Sequence, residues 1–117
     1  MKSLEKSNLL FDKISSLIHT AKQRVVTAVN IELVTLYWSI GNTIRKEILK
    51  ENRAEYGTEI IINLSKQLIA EFGKGFSKTN LTNFIHFSEV FPDLEIVHTL
   101  CKQLSWSHFR SLIYIKD

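Results

Sequence analysis

The sequence predicts an all-α protein of four to six helices, a long N-terminal helix followed by a helix-turn-helix-like bundle. Three observations carry this. One proline and four glycines leave few interruptions in 117 residues, and a turn-rich β architecture needs many. Apolar residues recur at three- and four-residue spacing along most of the chain, the period of an amphipathic helix rather than a strand. Thr58, Ser77, Asp93 and Ser105 each stand just ahead of an apolar run, where a short polar side chain satisfies the free amides of a first helical turn.

The first element covers residues 8 to about 51. Its stripe reads Leu10, Ile14, Leu17, Ala21, Val25, Ala28, then resumes at Leu36, Ile40, Ile44 and Ile48. Leu33, Val34, Leu36, Tyr37, Trp38 and Ile40 make the middle apolar on nearly every side, which predicts burial all round. A straight helix of this length runs on the order of 65 Å, whereas a compact domain of this size has a radius of gyration of about 13 Å. Either the helix breaks, with Asn30 and Gly41 as the candidates, or it protrudes and packs against a second subunit. Gly41 suits a close helix crossing or a bend.

The pattern pauses at Tyr56-Gly57. Thr58 then caps a helix to about residue 72, with Ile61, Leu64, Leu68 and Phe72 on one face. Gly73-Lys74-Gly75-Phe76 is a short break in which glycine permits positive φ. Ser77 caps the next helix, whose inner face is Leu81, Phe84, Ile85 and Phe91, and Pro92 stops it. Asp93 opens a short helix containing Leu94, Ile96, Val97, Leu100 and Leu104. Ser105 opens the last, with Trp106, Phe109, Leu112 and Ile113 inward. All of residues 1–117 read as one domain, within the usual range of roughly 50–250 residues.

Composition narrows the function. The 44% hydrophobic and 23% charged fractions are those of a globular protein. The net charge of +3 is concentrated in residues 1–58, with nine Lys/Arg against six Asp/Glu, while residues 59–117 balance at six and six. Such an excess permits nucleic-acid binding without requiring it. Cys101 is the single cysteine, which rules out an internal disulfide and suits a reducing compartment. No segment has a signal-peptide pattern or the ~20 apolar residues of a membrane span, so a cytoplasmic protein without membrane contact is expected.

Catalytic constellations do not assemble. Glu95, His98 and Cys101 share one helix, but zinc sites want three or four ligands in recognisable pairs, and no second pair exists; a buried cysteine beside a surface histidine is the simpler reading. Ser105, Ser107 and His108 would need a base held by a third group to make a nucleophile; neighbours on a helix point apart, and capping by Ser105 explains them. Gly73-Lys74-Gly75 is too short for a phosphate loop, and the carboxylates are scattered. Trp38 and Trp106 read as core. No metal, no cofactor and no enzymatic activity are expected.

The remaining signal is the pair of helices joined by a short glycine-containing turn, the dimensions of a helix-turn-helix. There the second helix enters the major groove and its N-terminal residues touch base edges. The outward face here is Lys78, Thr79, Thr82, Asn83 and His86. Asn pairs with adenine, Thr offers a hydroxyl or a methyl, and Lys reaches guanine or phosphate. No acidic residue falls between Glu71 and Glu89. An ordinary helical hairpin with a solvated polar face fits the same residues, and a protein-interaction or dimerisation module built on the over-long N-terminal stripe is the alternative function. The two are compatible, since helix-turn-helix proteins often bind as dimers.

The run Val29-Asn30-Ile31-Glu32-Leu33-Val34-Thr35-Leu36-Tyr37-Trp38-Ser39-Ile40-Gly41 resembles the opening signature of the YhcG-type N-terminal domain family. Tyr56-Gly57, Leu64-Ser65, Gly75-Phe76-Ser77, Asn80-Leu81 and Leu104-Ser105-Trp106-Ser107-His108 follow in the order of that family's later blocks. The resemblance implies a helical, helix-turn-helix-like DNA-binding module that precedes a PD-(D/E)XK nuclease domain, in cis or as a separate partner. It carries best onto Ser77, Lys78 and Asn80. Two positions depart from the family: Tyr56 stands where a tryptophan is usual, and Thr79 where a basic residue usually precedes Asn-Leu. No nuclease motif occurs within residues 1–117, so this stretch is expected to bind DNA without cleaving it.

Overall fold

A computed structural model describes residues 2–51 and 54–115 of the chain. Lys2–Glu51 form one unbroken helix, α1. Neither Asn30 nor Gly41 interrupts it, so the chain protrudes instead of breaking. Its 50 residues correspond to about 75 Å at the helical rise, and the molecule is 77 Å along its longest axis with a radius of gyration of 20.7 Å. Four further helices follow: α2 (Ala54–Phe72), α3 (Lys78–Val90), α4 (Leu94–Leu100) and α5 (Trp106–Leu112), with a 3-10 turn at Lys74–Phe76. Among the described residues there is no strand, and no helix is long and apolar enough to cross a membrane.

The bundle gathers on the C-terminal half of α1. Val34, Trp38, Gly41 and Ile44 lie three to four residues apart and are all buried, which makes them one face of the helix. Helix α3 lies across that face. At Gly41 the two backbones meet, since a Cβ built there would fall on the carbonyl of Phe84. Gly41 is therefore the close-crossing glycine and not a bend. The contact lets Phe84 and Phe87 sink fully into the core on either side of the crossing.

Two apolar clusters result. One joins Val34, Trp38, Phe87, Val97, Cys101, Phe109 and Ile113; the other joins Ile44, Leu81 and Phe84 with α2 residues such as Ile61, Leu64 and Leu68. Trp106 packs against both. Tyr37 stacks on Phe84 with centroids 4.5 Å apart, and the Trp106 ring meets each of them edge-on at 5.2 and 5.4 Å.

Polar side chains of α1 fasten the later segments. The Asn30 amide donates to the carbonyls of Cys101 and Leu104, both at 2.9 Å, so this residue is a clip rather than a hinge. The Trp38 indole donates to Phe91 O at 2.7 Å. Both satisfy carbonyls that a helix end or loop leaves open. Ser77, Asp93 and Ser105 all stand at helix N-caps, as expected.

Several expectations are corrected. Helix α2 starts at Ala54 and runs through Tyr56-Gly57, so Thr58 is not its cap. Gly57 is buried inside it, where a Cβ would press on the Ile48 side chain at 3.2 Å. Leu33 and Leu36 are exposed rather than buried: they sit on the side of α1 turned away from the bundle, which none of the described residues covers. Phe72 and Leu112 are likewise exposed, each on the last residue of its helix, past the packed face.

The crossing gives the first prediction. Gly41→Ala gains about 1 kcal/mol in helix propensity but forces α3 off α1, an overpacking effect of about 1–3 kcal/mol or more. The urea midpoint, followed by Trp38 and Trp106 fluorescence, is expected to fall.

Candidate nucleic-acid interface

The turn between α2 and α3 is tightly specified. Gly73 closes α2 with φ +100°, a conformation side chains disfavour, and its amide donates to Ile69 O at 3.0 Å. Ser65 Oγ donates to Phe76 O at 3.0 Å, tying the turn back onto α2. Ser77 Oγ accepts from the Asn80 amide at 3.2 Å, and the Asn80 side chain donates to Gly75 O at 3.0 Å. Ser77 and Asn80 therefore spend their polar atoms on shaping the turn and starting α3.

The other predicted residues divide. Lys78, Thr79 and Thr82 are exposed at the start of α3, with the Thr82 hydroxyl donating to Lys78 O at 2.9 Å. Asn83 is buried, 8% exposed, and its Oδ1 accepts a hydrogen bond from the Tyr114 hydroxyl. His86 is half-buried. Its Nε2 donates to Ile113 O at 2.8 Å, Nδ1 lies 3.6 Å from the Glu89 carboxylate, and the ring packs 5.3 Å from Tyr114. The segment after α5 thus occupies the second half of the expected stripe and leaves the first half open.

Sequence reasoning missed Lys74, which is exposed in the turn itself, and missed Tyr114, whose partner is 31 residues away. The Lys74 signal was present as the basic residue inside the turn; Tyr114 gave none.

The two rejected constellations also have definite structures. Cys101 is buried, its thiol donates to His98 O at 3.2 Å, and burial pushes its pKa up; no three His, Cys, Asp or Glu residues among those described are grouped to hold a metal. Ser105, Ser107 and His108 do come together, contrary to the expectation that they point apart. The Ser105 amide donates to His108 Nδ1 at 3.0 Å, and the two serine hydroxyls are 2.9 Å apart. This is a capping box at the start of α5, with histidine in the place of the usual Glu or Gln.

The model of the DUF1016 N-terminal domain matches residues 13–117. The chain belongs to the DUF1016 N-terminal domain family. Over 97 residues, 82% of its length, it is 34% identical to a protein of Escherichia coli (strain K12) named "Putative nuclease YhcG". It is thus a YhcG-type N-terminal domain, and it spans about a quarter of that relative, 26%. No solved structure matches. The DUF1016 match takes in the α2–α3 hairpin, its turn, and the segment that clasps Asn83 and His86.

The clasp gives the second prediction. Tyr114→Phe removes an exposed donor from the buried Asn83 oxygen, a hydrogen bond of ordinary net worth, about 0.5–1.5 kcal/mol. The midpoint of unfolding is expected to fall, and Asn83→Ala made on top of Tyr114→Phe to cost less than it does in the wild type, as a double-mutant cycle would show.

Proposed function

We propose that this domain docks on duplex DNA through the turn and first helical turn of the α2–α3 hairpin and thereby places an associated nuclease on its substrate. The observation that carries the reading is the exposed edge of Lys74, Lys78, Thr79 and Thr82, in a stretch with no acidic residue between Glu71 and Glu89. In helix-turn-helix proteins the start of the second helix is the part that meets base edges, and that part of α3 is the one left open. The relation to a protein named as a nuclease supports the choice of DNA as partner.

On this reading the seven residues expected at the interface have three roles. Lys78, Thr79 and Thr82 touch DNA, with Lys74 beside them reaching phosphate. Ser77 and Asn80 hold the turn that presents them. Asn83 and His86 act indirectly, fixing the tilt of α3 through Tyr114 and Ile113.

Fluorescence anisotropy with a labelled duplex across a salt series tests this. Each phosphate neutralised contributes a slope of about −0.9 in log K against log salt. Lys74→Ala with Lys78→Ala is expected to weaken binding and flatten the slope by about 2, whereas Lys2→Ala with Lys6→Ala leaves both unchanged. No binding at low salt, or equal effects of the two pairs, rejects the assignment.

A further inference from the structure

Among the described residues the N-terminal part of α1, from Lys2 to about Lys22, projects beyond the bundle, and Phe11 and Leu17 are each 69% exposed. Further along, Gln23, Val26 and Thr27 border a cleft against the segment from Cys101 to His108. Seven of the twelve apolar residues from Lys2 to Val29 fall on two regular series. Leu4, Phe11, Ile18 and Val25 recur every seven residues. Ile14, Ala21 and Ala28 form the interleaved series, with Ser7 as its polar member and Glu32 ending the first. A seven-residue apolar repeat is the seam of helices that wind around each other.

The seam cannot be covered by the chain's own bundle. At roughly 100° per residue, Phe11, Ile14, Ile18, Ala21 and Val25 fall on the side of α1 opposite Val34, Trp38 and Gly41, which carry the bundle. On the bundle side the protruding half instead shows Ser16, Thr20, Gln23 and Thr27.

Surface area points the same way. The chain exposes 8843 Å², whereas a compact monomer of 13.6 kDa exposes roughly 6,600 Å². The excess of roughly 2,000 Å² is as large as the total area that a stable interface removes from water. A strip that is long, narrow and regular at heptad spacing fits a helix of the same length and pattern, and this chain supplies one.

We infer that two copies of this chain pair through residues 4–28 of α1, seam against seam. The bundles then lie on the outside of the paired helices, with the α2–α3 hairpins uncovered. The inference rests on α1 alone and stands or falls independently of the DNA reading.

Sedimentation equilibrium of the whole chain tests it with two double variants. Phe11→Glu with Ile18→Glu puts charge into the seam. Leu9→Glu with Val26→Glu puts the same charge on equally apolar and exposed residues outside it. The wild type and the second variant are expected at twice 13.6 kDa, and the first at the single mass with its Trp38 and Trp106 emission unchanged, which shows the bundle still folded. A wild type that stays at the single mass at every concentration, as when another protein or a lipid surface is the true occupant, overturns the inference. Equal behaviour of the two variants does so too.

Discussion

The backbone-to-backbone contact of α1 with α3 at Gly41 sets the geometry of everything else. Interiors are packed too densely to absorb a separation of even one methyl group without rearrangement. Because Gly41 has no Cβ, α3 comes close enough for Phe84 to stack on Tyr37 and for Phe87 to reach Phe109. Arg45, one turn further along α1, donates to Ser88 on α3 at 3.3 Å and to Asn42 at 2.7 Å, keeping its charge at the margin of the crossing. The depth and angle of α3, and so the direction its open N-terminal turn faces, follow from this contact.

What the crossing leaves loose, hydrogen bonds collect. Helices α4 and α5 have seven residues each, too short to persist in water on their own. Asn30 and Trp38 are two turns apart on α1, and between them they hold the ends of α3 and α4. Asp93 and the Ser105–His108 pair begin the two short helices, and Trp106 seals the seam between the clusters. The family's blocks around Asn30 to Gly41 and around Leu104 to His108 are thus two halves of one joint.

Features with local causes were legible in the sequence. Ser77, Asp93, Ser105 and Pro92 act on their own neighbours, and the helix starts and stops they imply are present. Residues whose partners are remote were not legible. Asn30 and Gly41 carry the marks of helix breakers, yet one is a donor to carbonyls more than 70 residues on and the other a crossing point. The apolar girdle from Leu33 to Ile40 suggested burial on all sides, but among the described residues Leu33 and Leu36 meet no other element and stay exposed. In the candidate interface, Lys78, Thr79 and Thr82 are exposed on the helical face read from spacing. Asn83 and His86 lie on that face too, and Tyr114 and the Ile113 carbonyl, just past α5, occupy them.

Helix α1 is continuous in hydrogen bonding but divided in anchorage, and the division falls at Asn30. Opening free energies in a folded protein track the packing around each segment more than its secondary structure. Amides from Asn30 towards the C-terminal end of α1 should therefore exchange with deuterium only when the whole bundle unfolds, while those before it exchange through local unwinding. A single helix then behaves as two cooperative units, a fixed stem and a tip whose order is set by whatever grips it.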